Sequence, residues 1–175
     1  MEIIQRQAEY YSNSLRNYSN VCKDTGNAII THDDMWYNCF GYAVGTYDWE
    51  DCEDFVDYTE YSDVELGSLT EEEMLNENLM TMLECFLKRF ITARQISRIS
   101  EVTPAERVIA MRVGLDDFHF ARLGSDGIWT HKPGRGCVRE MTEEELWSDC
   151  WCRETAFHYT SEIILIALPK EEEIC

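Results

Sequence analysis

The sequence predicts an α+β fold, in which helices come first along the chain and an antiparallel sheet follows. Two observations support this prediction. Apolar residues recur at helical spacing in the first half of the chain, most clearly between Thr70 and Ile91. After Ile91 the period changes to two, in short segments rich in β-branched and aromatic residues that are separated by turn sequences. We therefore expect helices packed on a small antiparallel sheet.

The helices are predicted from apolar periodicity and from their first residues. An amphipathic helix is expected over residues 1–20. A longer helix begins after Thr70, because Thr70 and Glu73 have the spacing of a capping box and acidic residues in a first turn favour the helix dipole. Its apolar stripe continues to about Ile91. The same capping spacing recurs at Thr142 and predicts one more helix.

The strands are predicted from alternation and from the turns between them. Three form a meander, and a fourth, apolar throughout, is expected to be buried near the end of the chain. Their predicted ranges are Val108–Val113, Phe118–Arg122, Gly127–His131 and Ser161–Leu168. Gly114–Asp117 and Gly124–Gly127 carry the glycine and aspartate residues that favour tight turns. Short turns predict that each strand of the meander pairs with the next.

Length and composition indicate one globular domain over residues 1–175, with an acidic insertion around 48–70. Hydrophobic residues make up 45% of the chain and charged residues 28%, which excludes a disordered protein. The longest apolar run, Ile163–Leu168, is too short to span a bilayer. The first residues show no signal-peptide pattern, so we expect a cytoplasmic protein with reduced thiols.

The charge is strongly acidic and unevenly distributed. The net charge is −19, and no lysine or arginine lies between Asp24 and Leu87, where 17 acidic residues fall. Such a field repels nucleic acid and acidic membranes, so neither is an expected partner. Two interpretations of the acidic segment stay open: a solvated surface, or a decoy that occupies a basic site on a partner protein.

The first motif that suggests chemistry is Asn38-Cys39-Phe40-Gly41-Tyr42-Ala43. Asn38 is a good N-cap, so Cys39 is expected in the first turn of a helix. Backbone N–H groups and the dipole at that end favour a thiolate and predict a lowered pKa for Cys39. The same N–H groups suit an oxyanion, to which the Asn38 side-chain amide is expected to contribute. Because cysteine is often buried, a plain core residue is the alternative.

The second feature is a pair of histidines, His119 and His131. Alternation puts His119 on the face of its strand opposite Phe118 and Phe120. His131 follows twelve residues later with one turn between, so adjacent antiparallel strands are expected to bring the two rings together. A general base needs a second group that fixes its tautomer and orientation. Two hydrogen-bonded structural histidines are the alternative.

Together these segments resemble the papain-like cysteine peptidase superfamily, and within it the compact NlpC-type and CHAP-like branch. They are similar to the Asn-Cys-x-x-Tyr-Ala, His-Phe and Trp-x-His-Lys-Pro-Gly motifs of a bacterial and phage set. The matching segments are Asn38–Ala43, Phe118–Arg122 and Trp129–Gly134. The resemblance implies a papain-like fold, with N-terminal helices and a catalytic cysteine at a helix start that packs on a small antiparallel sheet.

The same resemblance implies Cys39 as nucleophile, His119 as base and His131 as orienting residue. Trp129 and Lys132, in the third motif, are candidates for substrate binding. Such a hydrolase acts on peptide or amide bonds through an acyl-enzyme. The expected substrate contains a peptide or amide bond, and a basic protein would suit the acidic charge. The alternative function is a non-catalytic acidic decoy or inhibitor that binds a basic partner.

A metal site is considered and is not expected. Cys137, Cys150, Cys152 and His158 could supply four soft ligands to zinc, but their spacing matches none of the common paired-cysteine motifs. Aromatic neighbours favour core positions for these residues. We therefore predict a hydrolase without metal or cofactor.

Overall fold

The computed structural model describes residues 37–46, 69–134, 136, 138–153 and 158–170. These residues form helices on an antiparallel sheet, which confirms the predicted α+β class. The helices are α1 (Cys39–Val44), α2 (Glu71–Arg89) and α3 (Glu143–Leu146). The strands are β1 (Arg94–Ile96), β2 (Glu106–Val113), β3 (Phe118–Leu123), β4 (Trp129–His131), β5 (Arg139–Met141) and β6 (Ile164–Pro169). A 3₁₀ turn at Ile99–Glu101 lies between β1 and β2.

The sheet has the strand order β1-β6-β2-β3-β4-β5, and all its neighbours are antiparallel. Strands β2 to β4 form the meander that the turn sequences predict, and β5 extends it by pairing with β4. The turns close as expected: Gly114 N–H donates to the Asp117 carbonyl over 2.7 Å, and Gly124 N–H donates to the Ile128 carbonyl over 2.8 Å. Strand β6 comes last in the chain yet lies between β1 and β2, so it is an interior strand of the sheet.

The long helix begins where the sequence predicts. Thr70 Oγ1 accepts from the Glu73 N–H over 3.3 Å, and Glu73 Oε2 accepts from the Thr70 N–H over 2.8 Å, which completes the capping box. The helix α2 ends at Arg89, two residues before the predicted end at Ile91. The expected helix over 1–20 and all but the last two residues of the insertion around 48–70 lie outside the described residues.

Apolar side chains cover both faces of the sheet. The core between the sheet and helices α1 and α2 includes Cys39, Phe40, Leu83, Phe86, Phe118, Phe120 and Ile166. The core on the second face includes Val108, Ala121, Trp129, Leu146, Trp151, Tyr159 and Leu165. Because strand residues alternate, His119 projects from β3 toward this second face, as predicted.

Polar contacts from three strands hold the short helix α1 on the first face. Arg107 Nη1 donates to the Val44 carbonyl over 2.6 Å, and Arg122 Nη1 donates to the Tyr42 carbonyl over 3.1 Å. Tyr42 and Thr130 hydroxyls are 2.8 Å apart. Cations at the last carbonyls of a helix are favourable, because those carbonyls lack partners within the helix. The end of α1 is thereby fixed, and its start is directed at β3.

Across the described ranges, no helix combines the length and the apolar character needed to cross a membrane.

Candidate active site

Cys39 is the first residue of α1, and Asn38 caps the helix as predicted. Asn38 Oδ1 accepts from the backbone N–H groups of Phe40 over 3.1 Å and Gly41 over 3.4 Å. The Cys39 thiol donates to the Phe118 carbonyl at 3.9 Å. This contact is available because β4 pairs with β3 only from Ala121 onward, which leaves this part of the β3 edge to α1. The thiol therefore lies against the backbone immediately before His119.

His119 and His131 are brought together by the register of β3 and β4. His131 pairs with Ala121, so it lies diagonally across from His119 on the same face of the sheet. The rings are nearly perpendicular, at an interplanar angle of 86°. His119 Nε2 and His131 Nδ1 are 2.8 Å apart, a hydrogen-bond distance. The structure thus confirms that the twelve-residue spacing places the two rings side by side.

Burial sets the charge of both rings. It lowers the pKa of His119 well below the ordinary histidine value, and the neighbouring His131 lowers it further. Burial also lowers the pKa of His131 to about 4, with Arg139 adding to this effect and Glu145 opposing it. Both imidazoles are therefore neutral near pH 7, and a single hydrogen occupies their shared bond. When His119 Nε2 carries that hydrogen, its Nδ1 holds the lone pair that a base needs.

The thiol of Cys39 differs from the sequence expectation. Its side chain is only 4% exposed, and burial raises its pKa above the ordinary thiol value, with Asp117 as the next cause. The N–H groups of Phe120 and Phe40 act in the opposite direction but are outweighed. The expected lowering of the pKa is thus wrong for the resting structure. Cys39 is therefore a neutral thiol in this structure.

Tyr159 and Asp117 complete the surroundings of His119. The Tyr159 ring stacks on the His119 ring with centroids 5.1 Å apart and an interplanar angle of 25°. Its hydroxyl donates to Asp117 Oδ2 over 2.9 Å, while Asp117 Oδ1 accepts from the Phe118 N–H over 2.8 Å. Burial raises the pKa of Tyr159 well above its usual value, so the hydroxyl keeps its proton. Sequence reasoning missed both residues, although Asp117 directly precedes the His119 strand segment.

Arg112 fixes the segment that carries Tyr159. From the second face of the sheet its guanidinium donates to three backbone carbonyls: Ser161 over 2.6 Å, Ser148 over 2.8 Å and Asp149 over 2.9 Å. Trp151 and Tyr159 then pair as an isolated antiparallel bridge. The buried guanidinium of Arg112 therefore holds the chain around Trp151 and Tyr159 in a fixed position beside His119.

The two residues proposed for substrate binding lie inside the protein. Trp129 is 3% exposed and belongs to the second core. Lys132 is 0% exposed; its Nζ donates to the Gly134 carbonyl over 2.8 Å and lies 4.7 Å from the centre of the Tyr37 ring. Lys132, which directly follows His131, therefore contacts Tyr37, which directly precedes Asn38. The predicted contact of Trp129 and Lys132 with substrate stays a prediction.

A pocket of about 500 Å³ opens beside Asp117. Its lining is mainly acidic and polar and includes Glu71, Asp116, Asp117, Asp149, Cys150, Arg153, His158 and Thr160. Cys150 and His158, considered as zinc ligands from the sequence, both line this pocket, whereas Cys137 lies outside the described residues. The pocket adjoins the candidate site through Asp117, which contacts Tyr159.

Comparison with known proteins finds no protein-family model, no curated protein and no solved structure that matches this chain.

Proposed function

We propose that this protein is a papain-like thiol hydrolase that cleaves an amide or thioester through an acyl-enzyme on Cys39. The observation that carries the proposal is the hydrogen bond between His119 Nε2 and His131 Nδ1, beside a helix-start cysteine whose thiol contacts the backbone next to His119. A nucleophile, a base and a group that orients the base are the three parts that such chemistry requires.

The first half of the reaction forms the acyl-enzyme. His119 Nδ1 takes the thiol proton as Cys39 Sγ bonds to the substrate carbonyl carbon, whose oxygen becomes an oxyanion. Because the Asn38 cap occupies the N–H groups of Phe40 and Gly41, the Cys39 N–H is the donor assigned to the oxyanion. The tetrahedral intermediate then collapses, the bond to the leaving group breaks, and His119 returns the proton to that group.

The second half releases the acyl group. His119 Nδ1 takes a proton from water as the water oxygen bonds to the thioester carbon. The carbon–sulfur bond then breaks, and the Cys39 sulfur recovers the proton. His131 accepts from His119 Nε2–H in both halves and so keeps the lone pair on Nδ1. Peptidases, amidases, deamidases and acyltransferases share this machinery, and the acceptor of the acyl group is what distinguishes them.

The acidic pocket beside Asp117 supports a preference for substrates that carry positive charge near the cleaved bond. Its carboxylates include Glu71 and Asp116, and Asp117 connects its wall to Tyr159. Arg153 also lines the pocket and is paired with Asp149, so the carboxylates of Glu71, Asp116 and Asp117 leave an excess of negative charge. Such an excess in a cleft raises the local concentration of positively charged groups. A basic peptide or protein is therefore the substrate class we assign to this site.

Acyl-enzyme trapping tests the proposed function. The full chain, treated with a chelator, is incubated with p-nitrophenyl acetate and with a panel of peptide amides, and intact-mass and peptide mass spectrometry locate any acyl group. We expect one acyl group, on Cys39, and none in Cys39→Ser or His119→Ala. Cys85→Ser is the matched control, since Cys85 is a free, partly buried thiol on α2. Acylation spread over several cysteines, or retained at full rate in His119→Ala, would refute the assignment.

The second candidate, the acidic decoy, rests on the charge of the chain alone. Its working carboxylates would lie over residues 48–63, which are outside the described residues. A decoy needs neither Cys39 nor the histidines, and its binding to a basic partner weakens steeply with salt because exposed charges are screened. Full biological effect in Cys39→Ser would favour this candidate over the hydrolase.

A further inference from the structure

The cluster at His119 contains a third donor that the proposed triad does not use. One donor atom each of His119, His131 and Cys152 lie within 4.8 Å of one another. Within the described ranges, this is the one such group of three or more histidine, cysteine or carboxylate side chains. The three residues belong to β3, the end of β4 and the segment after α3. The fold therefore brings together side chains from three separate elements.

The position of Cys152 is set by the fold. Its backbone has a φ of 53°, in the left-handed region that residues other than glycine seldom adopt. The preceding Trp151 is held by two backbone hydrogen bonds to Tyr159, and Arg112 binds the carbonyls of Ser148 and Asp149 just before it. The Cys152 sulfur is therefore directed toward the histidines by a fixed segment. His131 and Cys152 are both partly exposed, which gives solvent access to the cluster.

We propose that His119, His131 and Cys152 form a binding site for a zinc-class divalent cation. Two imidazole nitrogens and a thiolate are donors that such borderline-soft cations prefer, and three protein ligands leave the fourth tetrahedral position to solvent. With Zn–N of about 2.0–2.1 Å and Zn–S of about 2.3 Å, donor atoms of a tetrahedral site lie roughly 3.3–3.6 Å apart. The facing ring nitrogens are 2.8 Å apart, so they must separate slightly while the sulfur approaches. Only Cys152 is shared with the four residues considered from sequence.

The protein cannot bind the cation and act as a hydrolase at the same time, because the two states need protons on different atoms of His119. On binding, Cys152 releases its thiol proton to solvent, and its sulfur bonds to the cation. The hydrogen between His119 Nε2 and His131 Nδ1 must also leave, because both nitrogens then donate lone pairs. His119 regains this hydrogen on Nδ1 by exchange with solvent, a change of tautomer, while His131 keeps the proton that it already has on Nε2. His119 Nδ1 thereby becomes an N–H group and cannot take the proton of Cys39. The metal-loaded protein is therefore the inactive form for acyl transfer.

Cobalt titration tests the site directly. The chelator-treated full chain is titrated with Co²⁺ and followed by absorption for the thiolate-to-cobalt charge-transfer band and the d–d bands of a four-coordinate ion. We expect one equivalent of Co²⁺ to bind and one equivalent of Zn²⁺ to displace it. Cys152→Ser should lose the charge-transfer band and bind at least tenfold more weakly, whereas Cys85→Ser should keep both. His131→Asn should also weaken binding at least tenfold, and circular dichroism melts check that each variant folds.

Three results would overturn the proposal: no stoichiometric cobalt binding by the wild type, an unchanged charge-transfer band in Cys152→Ser, or equal loss of the band in Cys85→Ser. The proposal does not rest on the hydrolase, because the three donors converge whatever Cys39 does. Cobalt binding without any acylation of Cys39 would keep the metal site and reject the hydrolase, and the reverse result would do the opposite. Where both occur, one equivalent of Zn²⁺ should slow Cys39 acylation at least tenfold; an unchanged rate would contradict the shared histidines.

Discussion

Replacing His131 by asparagine and by leucine separates its proposed orienting role from a role in packing alone. The wild-type contact is the 2.8 Å hydrogen bond to His119 Nε2, inside a site where His119 is 2% exposed. In His131→Leu the buried Nε2–H has no acceptor at that position, which costs about 1–3 kcal/mol. The His119 tautomer with hydrogen on Nε2 is disfavoured by this amount, so acylation of Cys39 should slow roughly 5–150-fold.

Asparagine offers an acceptor where leucine offers none, so His131→Asn should lose roughly tenfold or less, since it retains one neutral hydrogen bond. His119→Ala removes the base itself and should lose about 10²–10⁴-fold. The assay is the rate of Cys39 acylation by p-nitrophenyl acetate in the presence of a chelator, followed by mass spectrometry. A His131→Leu rate equal to wild type, or a smaller loss in His119→Ala than in His131→Leu, would refute the assigned roles.

Three further outcomes are expected. Arg112→Lys should lower the free energy of unfolding by at least about 3 kcal/mol, because a lysine cannot span the three carbonyls that Arg112 holds. Urea denaturation measures this change. The control is Arg98→Lys at an exposed position, which should stay within about 1 kcal/mol of wild type. Asp116→Asn should raise the KM for cationic substrates roughly 2–5-fold and leave the KM for neutral substrates unchanged. The control is Glu144→Gln, because Glu144 is not among the residues that line the pocket. A similar rise in KM in this control would show that the pocket is not involved. Neutralising the acidic residues over 51–57 should leave kcat unchanged and reduce the association rate with basic substrates at low salt; loss of kcat would place that segment in the chemistry.

Much of the fold could be predicted because local signals agree with tertiary structure. The capping box at Thr70, the turn at Gly114–Asp117 and the alternation along β3 each act within a few residues, and each appears in the structure. Strands β1 and β5 were not predicted. Each has three residues with a single buried side chain, so backbone pairing with β6 or β4 creates them and no apolar alternation marks them.

The candidate site, like the fold, could be predicted only in part. The closeness of His119 and His131 follows from strand register, which the turn length determines, so it could be predicted. The pKa of Cys39 could not, because burial and the negative charge of Asp117 together outweigh the local effect of the helix start. Tyr159 and Cys152 reach the site through a distant segment that Arg112 and the Trp151–Tyr159 backbone hydrogen bonds hold in place, and nothing in their own sequence neighbourhood indicates this.

The contacts that hold the end of α1 also determine when Cys39 reaches its native position during folding. A six-residue helix is far too short to persist alone in water. The arginines that bind its last carbonyls are 63 and 80 residues away along the chain, on β2 and β3. Because those strands must pair before either arginine is in place, α1 joins an existing sheet and is a late event in folding. An incompletely folded chain therefore carries Cys39 as an ordinary thiol, and only the completed sheet holds its sulfur against the Phe118 carbonyl.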